Sequence, residues 1–410
     1  MSATNTITPD AGERSAILDI LRGIALLGIC LANYPVFSMY VFQSPETRLA
    51  YSTAGLDHVL YFLSLVFIEG KFYTLFSLLF GIGFSIILRK SRTGNPPALV
   101  IFYRRIFVLM IFGIAHSLLL WNGDILLLYA LLGLFLPLFR NTPDRTLILL
   151  WILLILSPIL FDLVKVLTDN RWNLANPLEA KLEDSARRSG VTDIRRWLID
   201  HDSYSDIIAF CRTGFWFRWY SLVDTNRLPK VFGTFLLGLY VGRHLVYAKL
   251  EENKNKLKKI WKTSAIIGFP FSIAMAIFEM DDHGLPDPRG LADTISYAFG
   301  VVPMSLFITT SICLLFLKRN WNERLLVFAP VGRMALTNYI LQTVLGIVIF
   351  YGIGFGLGVR TSFTYTLLIA LGVYLLEMTL SMFWLKHFNY GPLEWIWRQL
   401  TYGKRLKLRK

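Results

Sequence analysis

The run Ile101-Phe102-Tyr103-Arg104-Arg105-Ile106-Phe107-Val108-Leu109-Met110-Ile111-Phe112-Gly113-Ile114-Ala115-His116-Ser117-Leu118-Leu119-Leu120-Trp121-Asn122-Gly123-Asp124 opens on two arginines and closes on an Asn-Gly turn. Between them lie enough apolar residues to cross a bilayer as a helix, which takes about 20. Similar runs recur along the chain. They fall at 16–36, 71–88, 101–120, 124–139, 146–163, 229–247, 260–278, 295–317, 332–352 and 362–385, so the sequence reads as an all-α, polytopic bundle of roughly ten transmembrane helices.

Lysine and arginine gather in every second gap between these runs. Arg89, Lys90, Arg92, Arg104 and Arg105 precede the third, Arg140 and Arg145 the fifth, Arg243, Lys249, Lys254 and Lys262 the seventh, and Lys318, Arg319, Arg324 and Arg333 the ninth. Loops rich in Lys and Arg face the cytoplasm. The basic tail from Lys404 to Lys410 joins them, which puts both termini on the cytoplasmic side and the acidic gap 279–293, with Asp282, outside. Residues 164–228 form an extracytoplasmic polar loop or cap between two membrane halves, 1–163 and 229–410. The first apolar run reads as a retained helix, since no A-x-A cleavage site follows it. Residues 56–88 are too long for one straight crossing. Glu69-Gly70-Lys71 is the natural break, with 56–69 an interfacial or re-entrant segment.

Composition agrees. Hydrophobic residues make up 54% of the chain and charged residues 17%, against about 25% charged in soluble domains. A net charge of +14 is accounted for by the topological gaps, so nucleic acid is not an expected partner. Cys30, Cys211 and Cys313 are far apart and form neither a disulfide framework nor a metal motif. No Walker loop, GxSxG elbow or HExxH is present.

Charges at membrane depth are costly, so each needs a role. His116 lies roughly 9 Å below the Asn122-Gly123 turn, where an imidazole can take a proton near neutral pH or simply hydrogen-bond a neighbouring helix. Asp124 is either its partner or a helix cap. Glu69 and Lys71 belong at the same end of the bundle, and with His116 and Asp124 they make a candidate polar pocket. Asp19 and Arg22, three apart, can pair on the first helix, with Gly23 allowing close helix approach. Arg104 and Arg105 either set topology or hold phosphates. Asn338 and Gln342 share a helix face and either glue helices or line a cavity. The segment Gly391 to Arg398, with Trp395 and Trp397, reads as an interfacial docking helix.

Several of these segments together resemble the bacterial YeiB-like membrane family: Leu18-Asp19-Ile20-Leu21-Arg22-Gly23-Ile24-Ala25, Glu69-Gly70-Lys71-Phe72, Leu75-Phe76-Ser77-Leu78-Leu79-Phe80-Gly81-Ile82-Gly83-Phe84, His116 to Asp124, Gly332 to Gln342, and Gly391 to Gly403. The C-terminal half corresponds to that family's domain of unknown function. The family is similar in turn to the transmembrane acyltransferase superfamily, which includes heparan-alpha-glucosaminide N-acetyltransferase. That resemblance implies an enzyme of the bacterial plasma membrane that moves an acyl group from cytosolic acyl-CoA, most simply acetyl-CoA, to a hydroxyl or amine of an envelope glycan, lipid or exported metabolite.

In such an enzyme His116, Asp124 and Glu69 are the catalytic candidates, and Arg104, Arg105 and Arg22 the CoA-binding ones. Lys71, Trp121, Asn122, Asn338 and Gln342 are the candidate substrate contacts, and no metal is implied. The related heparan enzyme carries its histidine after its first helix, so His58 stands as the rival to His116. A transporter or lipid-binding protein is the alternative class. The expected partners are membrane lipids, acyl-CoA and a small-molecule or glycan acceptor; self-association stays open.

Overall fold

The computed structural model describes residues 16–90, 97–191, 194–281 and 284–410; the side chains of Lys90 and of 194–196 lie outside the described set, as do Arg92 and Asp282 of the charge pattern. Among the described residues the chain is helical throughout, with one isolated bridge between Phe388 and Arg409. The first half comprises α1 (Ala16–Phe37), α2 (Pro45–Leu49), α3 (Ala54–Phe67), α4 (Lys71–Lys90), α5 (Ala98–Leu119), α6 (Leu126–Gly133) and α7 (Asp144–Leu167). The middle stretch forms α8 (Asn176–Ser189), α9 (Ile194–Asp200) and α10 (Tyr204–Asp224). The rest is α11 (Arg227–Arg243), α12 (Lys254–Met280), α13 (Pro288–Phe316), α14 (Arg319–Leu325), α15 (Ala329–Arg333), α16 (Ala335–Phe350), α17 (Phe363–His387) and α18 (Pro392–Tyr402).

Seven described stretches are long and apolar enough to cross a membrane: α1, α3 continuing into α4, α5, α7, α12, α13 and α17. The pair Arg319–Arg333 and Ala335–Phe350, bent by 76°, makes eight. Side chains that water would reject point outward from them. On α7, Leu149, Leu153, Leu160 and Leu167 are 54%, 55%, 67% and 74% exposed. Such a surface is stable only against lipid. The chain is a multi-pass membrane protein.

The count falls short of the ten expected because three runs do not become straight, full-length spans. Residues 124–139 give only the eight-residue α6 and a 3₁₀ turn over Leu136–Phe139, since Pro137 removes a backbone donor there. The run at 229–247 becomes the 17-residue α11, which begins with Arg227 and Lys230 and ends on Arg243. The run at 332–352 is broken at Met334, where α15 gives way to α16. Glu394 of α18 covers the break: its Oε1 accepts from the amides of Leu336 (2.7 Å) and Thr337 (3.0 Å), and its Oε2 from the Thr337 hydroxyl (2.6 Å). An anion at a helix N-terminus satisfies donors that have no partner within the helix. The expected docking helix also serves as a cap.

The break before α4 falls where expected. Gly70 has φ +78°, a left-handed conformation that favours glycine, and an added Cβ would lie 2.9 Å from the Tyr297 hydroxyl and from Val301. α4 and α11 approach backbone to backbone. A Cβ on Gly81 would run into the Phe235 carbonyl and one on Gly238 into the Leu78 carbonyl, so small residues set this seam. At the end of the bundle holding the start of α1, Gly23 likewise lies against the Phe328 backbone, as its position after Arg22 leads one to expect. The polar stretch 164–228 is more than a cap: α10 packs along α5 and α8.

Candidate active site

α5 ends at Leu119 because the chain turns at Asn122-Gly123, and both Leu120 N and Trp121 N fold back onto the His116 carbonyl (3.0 and 2.8 Å). This leaves His116 in the last turn with its ring facing Asp124. Nδ1 lies 2.9 Å from Asp124 Oδ1, and Nε2 lies 2.9 Å from the Thr343 hydroxyl on α16. The carboxylate can only accept, so it fixes the ring proton on Nδ1 and leaves the Nε2 lone pair facing Thr343. His116 is 1% exposed and Asp124 3%. The two roles considered for Asp124 coexist, because its Oδ2 accepts from Leu127 N (2.6 Å) at the start of α6.

Aromatic rings wall the pair. Tyr339 lies 5.2 Å from the His116 ring, and Trp121, stacked on Phe37 at 4.4 Å, presents its edge to it at 6.5 Å. From the middle stretch, α10 clamps the turn: Arg218 Nε donates to the Asp124 carbonyl (3.1 Å), Asn122 Nδ2 to Gly214 O (3.2 Å) and the Tyr204 hydroxyl to Leu119 O (2.8 Å). The arrangement can hold an imidazole as a base in a dry, fixed orientation.

The remaining candidates divide among three places. Glu69 is half-buried in the break before α4 and makes no hydrogen bond to His116; Lys71, 0% exposed, donates from Nζ to Leu65 O (2.6 Å). Both belong to a second cluster with Tyr73, Arg227, Lys230, Asp293 and Tyr297, so the four-residue pocket expected from topology is split in two. Asn338 and Gln342 face α17, donating to Ser381 Oγ (2.9 Å) and Glu377 Oε2 (2.9 Å), which is helix glue.

Arg22, Arg104 and Arg105 lie at the opposite end. Arg22 pairs with Asp19 at 2.9 Å, Arg105 stacks 4.1 Å from the Trp397 ring, and Arg104 is exposed beside Gly403. His58 is exposed on α3, while its neighbour Asp57 is buried and accepts from Thr364 N (2.8 Å). Among the described residues no three His, Cys, Asp or Glu side chains gather as a metal site needs.

Sequence reasoning missed Thr343, Arg218, Arg227, Lys230 and Glu377. Glu377 carried a signal, as the one carboxylate in the apolar α17. So did Arg218, inside the aromatic run Phe215-Trp216-Phe217-Arg218-Trp219-Tyr220. Thr343 carried none.

Residues 241–404 match the family described as "Protein of unknown function (DUF418)". Over its full length the chain is similar to the uncharacterized protein YxaH of Bacillus subtilis, 30% identical across 404 residues, 95% of this chain and 94% of that one. It is 28% identical to the uncharacterized protein YeiB of Escherichia coli over 428 residues, 95% and 96% of the two chains. The chain belongs to the YeiB-like family. A further relative, an uncharacterized 39.9 kDa protein in the amylase 3′ region of Bacillus acidopullulyticus, is 28% identical over 413 residues, 97% of this chain and 96% of its own. These relatives are bacterial and none is described by an activity, so for this YeiB-like chain the chemistry is argued from the site alone. No solved structure matches it.

Proposed function

We propose that the chain is an acyltransferase of the bacterial plasma membrane, moving an acyl group from a CoA thioester to a hydroxyl or amine of an envelope glycan, lipid or exported metabolite. The observation that carries this reading is the buried His116–Asp124 pair with Nε2 left as an acceptor. The Thr343 hydroxyl is also 3.4 Å from the Tyr339 carbonyl, so a side-chain rotation that carries Oγ1 off Nε2 opens the ring to the acceptor without moving the helix. His116 Nε2 then takes the proton of the acceptor as its oxygen or nitrogen attacks the thioester carbonyl. Collapse of the tetrahedral intermediate breaks the C–S bond, and the imidazolium returns the proton to the departing CoA sulfur.

Asp124 orients the ring and offsets its positive charge; Glu69, placed apart from His116, is not given that role. Arg104 and Arg105 hold CoA phosphates from the cytoplasmic side, with Arg22 near the same end. About 16 Å of helix separates Arg105 from His116, comparable to the reach of a pantetheine arm. The competing class, a transporter, draws on buried charges such as Lys71 and Glu377, each 0% exposed.

Purified protein in detergent separates the two. The acyltransferase binds acetyl-CoA and slowly hydrolyses its thioester even without acceptor, whereas a transporter of another solute does neither. Undetectable binding of acetyl-CoA to folded protein refutes the proposal.

A further inference from the structure

Beside the His116 pair, cations stand without an ion-paired anion among the described residues. Arg227 Nε is closed to solvent and has no hydrogen-bond acceptor; its guanidinium lies 4.8 Å from the centre of the Tyr73 ring. Lys230, one turn on, places Nζ 4.0 Å from the centre of the Tyr297 ring, with no acceptor or ion pair among the described residues. Tyr73 and Tyr297 hydrogen-bond each other through their hydroxyls. Arg218, half-buried, makes one hydrogen bond among the described residues, to the Asp124 carbonyl, and it repels Arg227 electrostatically. Arg227 is also the first residue of the 17-residue α11, whose opening amides receive no side-chain cap from Asn226.

The local acids do not account for these donors. Asp162 is spent on Lys165 (2.9 Å), Asn226 (2.8 Å) and Thr294 (2.8 Å). Asp224 is held by Lys165 (3.2 Å) and Asn173 (2.8 Å), and Asp124 by His116. That leaves Glu69 and Asp293, both within electrostatic range but neither ion-paired to Arg227 or Lys230, against Arg218, Arg227, Lys230 and the buried Lys71. Cations held half out of water without an ion-pair partner carry a desolvation cost. An anion that enters the cluster removes that cost.

We propose that Arg218, Arg227 and Lys230, with the hydroxyls of Tyr73 and Tyr297, bind a phosphate group of the molecule that is acylated at His116. A phosphate suits the site better than a carboxylate. Guanidinium offers five N–H donors and ammonium three, more than the four lone pairs of a carboxylate can take up, and arginine matches phosphate with paired hydrogen bonds. Arg218 is bonded to the Asp124 turn and lies within electrostatic range of Arg227 and Tyr73, so an anchored phosphate sets its own neighbouring hydroxyl or amine toward Nε2. This inference rests on the acyltransferase reading for the identity of the ligand, but not for the existence of the anion site.

The phosphate belongs either to a soluble ester or to a lipid headgroup, and two arms distinguish them. In one, the full-length protein in detergent is melted with and without inorganic phosphate or glycerol 3-phosphate, with chloride at equal ionic strength as control. In the other, nanodiscs of phosphatidylcholine alone are compared with nanodiscs containing phosphatidylglycerol, and retained lipid is read by native mass spectrometry. The expected result is protection in one arm, weakened roughly tenfold or more in apparent affinity by Lys230→Gln and restored by Lys230→Arg. Arg227→Gln serves as the second variant.

Protection in neither arm overturns the proposal. So does equal phosphate sensitivity in wild type and both Gln variants, which would mean that the rings and cations are packing only. Protection without acetyl-CoA turnover keeps the anion site and sinks the enzyme; turnover without protection does the reverse.

Discussion

Two polar regions lie side by side in this bundle and are finished differently. Every polar atom of the His116 and Asp124 side chains has a partner: Asp124 and Thr343 take the two ring nitrogens, Leu127 N and His116 share the carboxylate, and Arg218 covers the turn. Around Arg227 the donors meet aromatic faces instead of acceptors, and Asp293 Oδ1 is buried without a donor. A satisfied network fixes a single geometry, whereas an unsatisfied one stores cost until a partner arrives. The first is built to orient a reacting group and the second to receive a charged one.

The largest expected effect tests the first region. His116→Ala lowers acyl transfer by about 10²–10⁴-fold, the usual share of general acid–base catalysis, while acetyl-CoA binding stays near wild type. Single-turnover transfer on protein shown by its melting curve to be folded is the measurement. Full transfer in that variant would pass the role to His58. Next comes Asp124→Asn. The amide has one oxygen and one NH2, so with its oxygen on Leu127 N it donates to His116 Nδ1, moves the ring proton to Nε2 and removes the lone pair that takes the acceptor's proton. Transfer falls by about 10²-fold or more while the melting midpoint moves by no more than the worth of about one neutral hydrogen bond, roughly 1 kcal/mol.

The second region should answer in the opposite sense. In the absence of phosphate, Arg227→Met exchanges an unpartnered cation for an apolar chain of similar length. The change in stability then stays within about 1 kcal/mol or is favourable, because the lost cation–π contact is set against a removed desolvation cost. A loss beyond about 3 kcal/mol would mean that Arg227 is as well satisfied as His116, and the contrast between the two regions would collapse.

The sequence made the first region legible and the second invisible, for a physical reason. His116 and Asp124 are eight residues apart across a turn that Asn122-Gly123 announces, so a local reading can join them. Glu69, by contrast, was joined to them through depth alone, and depth does not say which face of a helix a side chain takes. Arg227 and Lys230 were hidden by the polar stretch that precedes them, where charges look solvated. Their partial burial comes with the close seam of α4 and α11, which depends on Gly81 and Gly238 in helices far apart in sequence. The same limit governs the fold. Apolar length gave the long helices correctly and overstated 124–139, 229–247 and 332–352, where short length, charge or a bend spoils a straight crossing.

The smallest effects are expected at the far end of α5, and they sharpen the contrast because neither Arg104 nor Arg105 is fully buried. Arg104 is exposed, so Arg104→Gln changes stability by no more than about 0.5 kcal/mol. Arg105 is different, since its guanidinium lies 4.1 Å from the Trp397 ring while Trp397 Nε1 donates to its carbonyl (3.0 Å). Arg105→Gln keeps the backbone hydrogen bond and loses the stacking, which costs about 0.5–1 kcal/mol at a half-exposed site. Affinity for acetyl-CoA separates topology from binding. If the two arginines merely face the cytoplasm, both variants bind as wild type does. If they hold phosphates, each loses roughly fivefold, the worth of about 1 kcal/mol for an exposed ion pair, and the loss shrinks with added salt. Unchanged affinity in both variants would move the CoA site away from this end of α5 while leaving the His116 pair untouched.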